Sequence, residues 1–216
     1  METALDEQPL ETTTYSLGSE TPPPSERRND DDRHLTLFRV GAMDIDGRRE
    51  LCLIKNISAG GMMIRPYCTL AEGTSLVIEL KTGTSVPGTV AWVKDGNAGV
   101  AFGSPVDVLE IVSHSASGAR PRMPRIAVDC VANVRDGARN YRMRVSDISQ
   151  GGVKVDCPVD LEPGCDLIVT LPGLSPHPGV LRWIDGGHAG ITFNRLIPLS
   201  ELVEWLRALR DERAAA

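Results

Sequence analysis

One stretch of this chain is written twice: Asn56–Phe102 returns without a gap, 91 positions later, as Asp147–Phe193. Asn56-Ile57-Ser58-Ala59-Gly60-Gly61 aligns with Asp147-Ile148-Ser149-Gln150-Gly151-Gly152. Further on, Leu70, Gly73, Leu76, Leu80, Pro87, Gly88, Trp92, Gly96, Ala98, Gly99 and Phe102 meet identical residues at Leu161, Gly164, Leu167, Leu171, Pro178, Gly179, Trp183, Gly187, Ala189, Gly190 and Phe193. About 15 of the 47 aligned positions are identical, and many other apolar positions exchange one branched residue for another. Repeated spacing of this kind means one small unit built twice. At 216 residues the chain holds two domains of roughly 80 to 100 residues, each near the low end of what a single core supports.

Within each copy the apolar residues fall in short runs bounded by Gly, Pro and Asp. Residues 35–40, 51–54, 62–64, 75–80, 88–93 and 99–102 are the runs of the first copy. Those of the second are 126–134, 142–145, 152–155, 166–171, 179–183 and 190–193. Six short strands with turns every 8 to 12 residues or so predict a small antiparallel barrel. Val106 to Ser113 reads as a short helix closing the first unit. Leu199, Leu202, Val203, Leu206 and Leu209 give a helical stripe over 199–210 after the second. The expected fold is mainly β: two tandem six-stranded antiparallel barrels, each followed by a helix, short in the first and longer at the C-terminus.

The net charge of −6 is unevenly placed. Residues 1–32 hold nine acids against Arg27 and Arg28, while everything after them sums to +1. That first segment is rich in Thr, Ser, Pro and Glu and nearly free of large apolar residues, so it cannot offset its ordering entropy and is expected to be a disordered acidic tail. The expected domains are then 33–113, a linker over 114–122 that begins an arginine arm, and 123–212. A near-neutral folded part argues against nucleic acid as a partner, because that needs a strongly basic face. No run of about 18 apolar residues exists, which argues against membrane insertion. Without a basic, apolar leader at the start, the expected compartment is the cytoplasm. The five cysteines (Cys52, Cys68, Cys130, Cys157, Cys165) are scattered and odd in number; they are read as reduced thiols packed as small hydrophobes, with no metal site.

No catalytic constellation is present: there is no phosphate-cradling glycine loop before a helix, no Gly-x-Ser-x-Gly and no His-Glu-x-x-His. The chain is therefore not expected to be an enzyme or to carry a cofactor. Trp92 and Trp183 alternate with apolar neighbours and are read as core or half-buried barrel residues.

Asp147-x-Ser149-x-x-Gly152 resembles the Asp/Asn-x-Ser-x-x-Gly signature of PilZ domains. The endings Gly99-Val-Ala-Phe102 and Gly190-Ile-Thr-Phe193, with a tryptophan shortly before each, are similar to that family as well. The resemblance implies bacterial six-stranded barrels that commonly bind the second messenger cyclic di-GMP through an Arg-x-x-x-Arg arm and the signature loop. Guanidinium groups suit such a ligand because they meet phosphate oxygens and guanine O6/N7 bidentately and stack on base faces.

Judged against that requirement, the second copy offers Arg120, Arg122 and Arg125 as the arm and Asp147, Ser149 and Gly152 as the loop. Pro121 stands where the first motif arginine is expected, and the two prolines of the arm favour an extended chain. The first copy offers Asn56, Ser58 and Gly61 with Arg28 and Arg33, but Asp30, Asp31 and Asp32 lie between those arginines. Carboxylates beside a phosphate are repulsive, so that site is read as degenerate. Two functions remain open. One is a cyclic di-GMP receptor or adaptor whose second domain holds the ligand and whose protein partner lies in motility, polysaccharide or signalling machinery. The other is a protein-interaction module in which both nucleotide sites have decayed.

Overall fold

The structure, a computed structural model, describes residues 35–79, 85–108, 123–158 and 160–215. The acidic segment 1–32 and the linker 114–122 lie outside them, as does most of the short helix expected at 106–113. The first barrel is built from β1 (Leu35–Ile45), β2 (Arg48–Ser58), β3 (Gly61–Pro66), β4 (Ser75–Glu79), β5 (Ser85–Lys94) and β6 (Asn97–Phe102). The second follows with β7 (Ile126–Asp136), β8 (Arg139–Ser149), β9 (Gly152–Asp156), β10 (Asp166–Thr170), β11 (His177–Asp185) and β12 (His188–Phe193), and then helix α1 (Leu199–Ala215). Both barrels are closed and antiparallel, in the orders β1-β2-β3-β6-β5-β4 and β7-β8-β9-β12-β11-β10. The mainly β, tandem-barrel expectation holds.

Repetition extends to the irregularities. The register slips between Ile54 and Asn56 in β2 and between Val145 and Asp147 in β8. It slips again at Val90/Trp92 in β5 and at Leu181/Trp183 in β11. Such bulges bend a strand and raise its twist, which lets six short strands close into a ring. At the second pair of bulges the indole lies across the facing strand. A Cβ added to Gly99 would sit 2.0 Å from Trp92 Nε1, and one added to Gly190 would sit 2.1 Å from Trp183 Nε1. Each glycine is the bare floor under a half-exposed tryptophan.

Strands β1 and β2 run to 11 residues each, longer than the apolar pattern suggests. Their far ends carry Arg48, Arg49 and Glu50, which break the alternation but still pair with Ile45, Asp44 and Met43. The hairpin turns on Asp46 and Gly47, both at positive φ (48° and 75°), the geometry whose twist matches that of the flanking strands.

Each barrel has its own core. Met43, Ile54, Ile64 and Ile78 are fully buried in the first, and Met143, Ile148, Leu167 and Leu181 in the second. Helix α1 belongs to the second core through Leu202, Val203, Trp205 and Leu206. Leu199 and Leu209, the ends of the expected stripe, pack at its margin. Trp205 was not part of that stripe; it is buried and its indole Nε1 donates to the Pro172 carbonyl at 2.6 Å.

Cys52, Cys68, Cys130 and Cys165 are free thiols. Burial pushes the Cys52 thiol up to about 12. At pH 8 that leaves about one thiolate in ten thousand, and only the thiolate reacts. Iodoacetamide at pH 8 is therefore expected to spare Cys52 in the folded protein and to modify it once guanidinium unfolds the chain. Rapid native-state alkylation at Cys52, read by peptide mass mapping, would contradict the buried placement.

The barrels meet along one face of the first. Leu51 of β2 is buried in the core cluster of the second barrel, with Val40 and Tyr67 packed against the same cluster. Three arginines fasten the seam. Arg210 of α1 donates through both terminal nitrogens to Glu50, Arg207 donates to the Tyr67 carbonyl, and Arg49 Nε donates to the Arg125 carbonyl at 3.0 Å.

Candidate ligand-binding site

The corner between β8 and β9 is shaped by three residues of the signature with separate tasks. Ser149 is buried, and its hydroxyl donates back to the Gly152 carbonyl at 3.3 Å, closing the turn on itself. Ser58 does the same toward Gly61 at 3.2 Å in the first barrel. The glycines answer a steric demand from the neighbouring strand. A Cβ on Gly152 would lie 2.3 Å from the Ile191 carbonyl oxygen, and one on Gly61 would lie 2.5 Å from that of Val100. In both copies, then, the serine and glycine bring β9 or β3 tightly under its partner strand.

The first residue of the signature behaves differently in the two barrels. Asn56 turns inward along its own strand pair, its Oδ1 accepting from the Met63 amide at 3.1 Å beside the bulge. Asp147 faces outward and accepts from Arg125 Nη1 at 2.7 Å. Arg125 is the residue just before β7, so the root of the arm lies directly over the signature corner. The Arg125 side chain remains 43% exposed against 23% for that of Asp147. Across a partly exposed pair of this kind the attraction is modest and screened by salt, so an anion carrying more charge can compete for the same guanidinium.

The corner is braced from the end of β12 and the segment after it. Gln150 Nε2 donates to the Ile197 carbonyl at 2.9 Å, the Ile197 amide donates to the Gln150 carbonyl at 2.9 Å, and the Phe193 amide donates to Gly151. Met123 and the exposed Leu196 flank Gly151, giving the rim an apolar patch beside the ion pair. A cleft of about 180 Å³ opens next to Ile126, Ala127 and Val128 on the inter-barrel side, walled by Arg48, Arg49, Arg210 and Arg213.

Among the sequence-predicted site residues, the structure brings Arg125, Asp147, Ser149 and Gly152 together. Asn56, Ser58 and Gly61 form the matching corner of the first barrel. Arg28, Arg33, Arg120 and Arg122 lie outside the described residues. Among the described residues no group of three His, Cys, Asp or Glu side chains is placed to hold a metal ion. Sequence reasoning passed over Arg49, Glu50 and Arg210, all of them at the seam. A faint signal was present: at the 91-residue offset Arg49-Glu50-Leu51 faces Asn140-Tyr141-Arg142, a break in the repeat where the surrounding strands align. Burial pushes the Cys68 thiol at this seam upward, and Glu50 adds to the effect, while Arg48, Arg210 and Arg207 oppose it.

The profile of the PilZ domain matches residues 26–114 and, separately, 119–208. The chain belongs to the PilZ family. Two matches in tandem cover both barrels of this PilZ chain, including each copy of the signature corner. A comparison with curated proteins finds no match. Among solved structures, the chain is similar to the PlzA protein of Borreliella burgdorferi in complex with c-di-GMP. That likeness is at 14% identity and a TM-score of 0.34, over 78% of this chain and 86% of that one. It is also similar to YcgR from Escherichia coli in complex with c-di-GMP, at 15% identity and 0.33, over 82% and 85%. The Bacillus subtilis inhibitor of motility is matched at 11% identity and 0.34, over 83% and 99%. Family membership rests on the two profile matches. No helix among the described residues is long and apolar enough to cross a membrane.

Proposed function

We propose that this PilZ protein is a cyclic di-GMP receptor in which the second barrel holds the ligand, and that it passes the signal to a protein partner in motility, polysaccharide or signalling machinery. The observation that carries the reading is the 2.7 Å contact of Arg125 with Asp147. It sets a partly exposed guanidinium, at the root of an arm that also contains Arg120 and Arg122, over the carboxylate of the signature corner. Arg125 is the group to take a ligand phosphate or guanine O6/N7 edge, since its planar fork matches both. Asp147, released from it, accepts from the guanine N1–H and N2–H edge. Ser149 and Gly152 keep the corner tight enough for backbone approach, while Arg120 and Arg122 supply the further guanidinium groups the ligand phosphates call for.

The first barrel is proposed to be a scaffold. Its Asn56 is committed to the Met63 amide, and its arm region interleaves Asp30, Asp31 and Asp32 with Arg28 and Arg33. The same facts motivate the second reading, in which neither corner binds nucleotide and the barrels serve as a docking module.

Calorimetric titration of cyclic di-GMP separates the two. Wild type is expected to give a saturable heat, and Arg125→Ala a dissociation constant raised about ten- to a hundredfold, the loss of one charged hydrogen-bonding partner. GTP serves as the control nucleotide and is expected to give no saturable heat. Equal heats from wild type and Arg125→Ala would remove Arg125 from the site. No heat from either would leave the docking module standing.

A further inference from the structure

We infer that Arg49, on the first barrel, is a positioning residue for the ligand site of the second. This inference rests on the receptor reading given above and concerns how that site is held ready.

Arg49 touches three acceptors at once. Its Nη1 donates to Asp44 Oδ2 at 2.8 Å, its Nη2 to Glu79, and its Nε to the backbone carbonyl of Arg125 at 3.0 Å. The two carboxylates come from β1 and β4 of its own barrel and fix the plane of the guanidinium. With the plane fixed, Nε points at the residue whose side chain reaches Asp147. Arg125 is thus held at two points, backbone to the first barrel and side chain to the second.

Comparison of the two copies shows what this cluster is for. The barrels share strand order, register and bulges. If Asp44, Arg49 and Glu79 were needed to close a barrel, the second would carry equivalents. At the 91-residue offset it has Arg135, Asn140 and Thr170, with Arg135 pairing Asn140 as Asp44 pairs Arg49, and it closes in the same way. The cluster therefore serves something outside its own barrel. The same asymmetry marks the rest of that face: Val40 is packed against the second barrel's core, while its counterpart Val131 is 41% exposed. Leu51 is buried in the seam, and its counterpart Arg142 is exposed. One face of the first copy has been altered to grip the second, and its polar element closes on the arm.

A fixed arm root has a direct effect on affinity, because ordering a flexible segment at the moment of binding costs free energy that a pre-set segment has already given up. Arg49→Ala is expected to weaken cyclic di-GMP binding about tenfold, with thermal stability of the free protein little changed. Arg49→Lys should not restore it, since an ammonium lacks the planar fork that meets three acceptors. Asn140→Ala, at the equivalent position of the other copy, should leave affinity unchanged. The decisive readout is a double-mutant cycle: if Arg49 acts through Arg125, adding Arg49→Ala to Arg125→Ala costs little further affinity. Amide hydrogen exchange over residues 125–128 in the ligand-free full chain should quicken in Arg49→Ala and not in Asn140→Ala. Additive losses in the cycle, or unchanged exchange, would overturn the inference while leaving the receptor reading intact. A wild type that takes up no cyclic di-GMP would overturn the receptor reading itself, and the positioning role with it.

Discussion

Arg210→Ala is expected to destabilise the folded chain by about 3 kcal/mol, the lower part of the range for a buried carboxylate that loses its partner. Glu50 is the residue that suffers. Its side chain is 7% exposed and both its oxygens accept from Arg210, whereas the arginine side chain is 47% exposed. Removing the arginine takes both hydrogen bonds from the carboxylate, in a seam lined by Pro66, Tyr67 and Cys68 with Arg48 and Arg207 beside them. Removing the acid strands nothing, because Arg210 is free to turn toward water. Glu50→Gln should therefore cost clearly less than Arg210→Ala. The pair Glu50→Gln with Arg210→Met should recover most of the loss, since no buried charge is left uncompensated. Denaturant midpoints with matched m-values read all four proteins. A loss under about 1 kcal/mol for Arg210→Ala would mean that water reaches the carboxylate freely.

Gly152→Ala is expected to cost about 3 kcal/mol, at the upper end for overpacking, because the added carbon meets backbone. The Ile191 carbonyl oxygen lies 2.3 Å from where that Cβ must go, and it belongs to a strand paired on both sides. Relief requires β9 to slide off β12, which also pulls the Gly152 carbonyl from the Ser149 hydroxyl. Gly151→Ala is the control one residue away: its nearest neighbour is the Met123 sulfur at 3.2 Å, the end of a flexible side chain. That change should cost under about 1 kcal/mol. Thermal or urea unfolding compares them. Equal losses at the two positions would show that the close approach of β9 and β12 is not what fixes the glycine.

These contrasts bear on how much of the molecule was readable from residues alone. The two barrels, their order and the signature corner were legible because duplication prints the same spacing twice, and each apolar run pairs within its own copy. Strand ends were less so. Arg48, Arg49 and Glu50 look like a polar turn, yet they complete a long hairpin whose turn is Asp46-Gly47. Trp205 was missed because it lies beside the expected stripe, and its indole reaches a carbonyl in the loop after β10.

The corner was legible in composition and only half legible in task. Asn56 and Asp147 occupy equivalent places, but an amide satisfies a nearby backbone N–H while a carboxylate draws a guanidinium from 22 residues earlier. The seam was the least legible part, since contacts between copies obey no periodicity within either. They are written as departures from the repeat: Arg49 against Asn140, Glu50 against Tyr141, Leu51 against Arg142. Where two copies of one unit diverge at neighbouring positions on one face, that face has acquired a task the other lacks.

The indoles lying over bare Cα atoms on the adjacent strand limit how this lineage can drift. A side chain at Gly99 or Gly190 has to be answered by a change at Trp92 or Trp183, since a methyl at the glycine collides with the ring. Both couples therefore constrain each barrel's wall whether or not its signature corner holds a ligand.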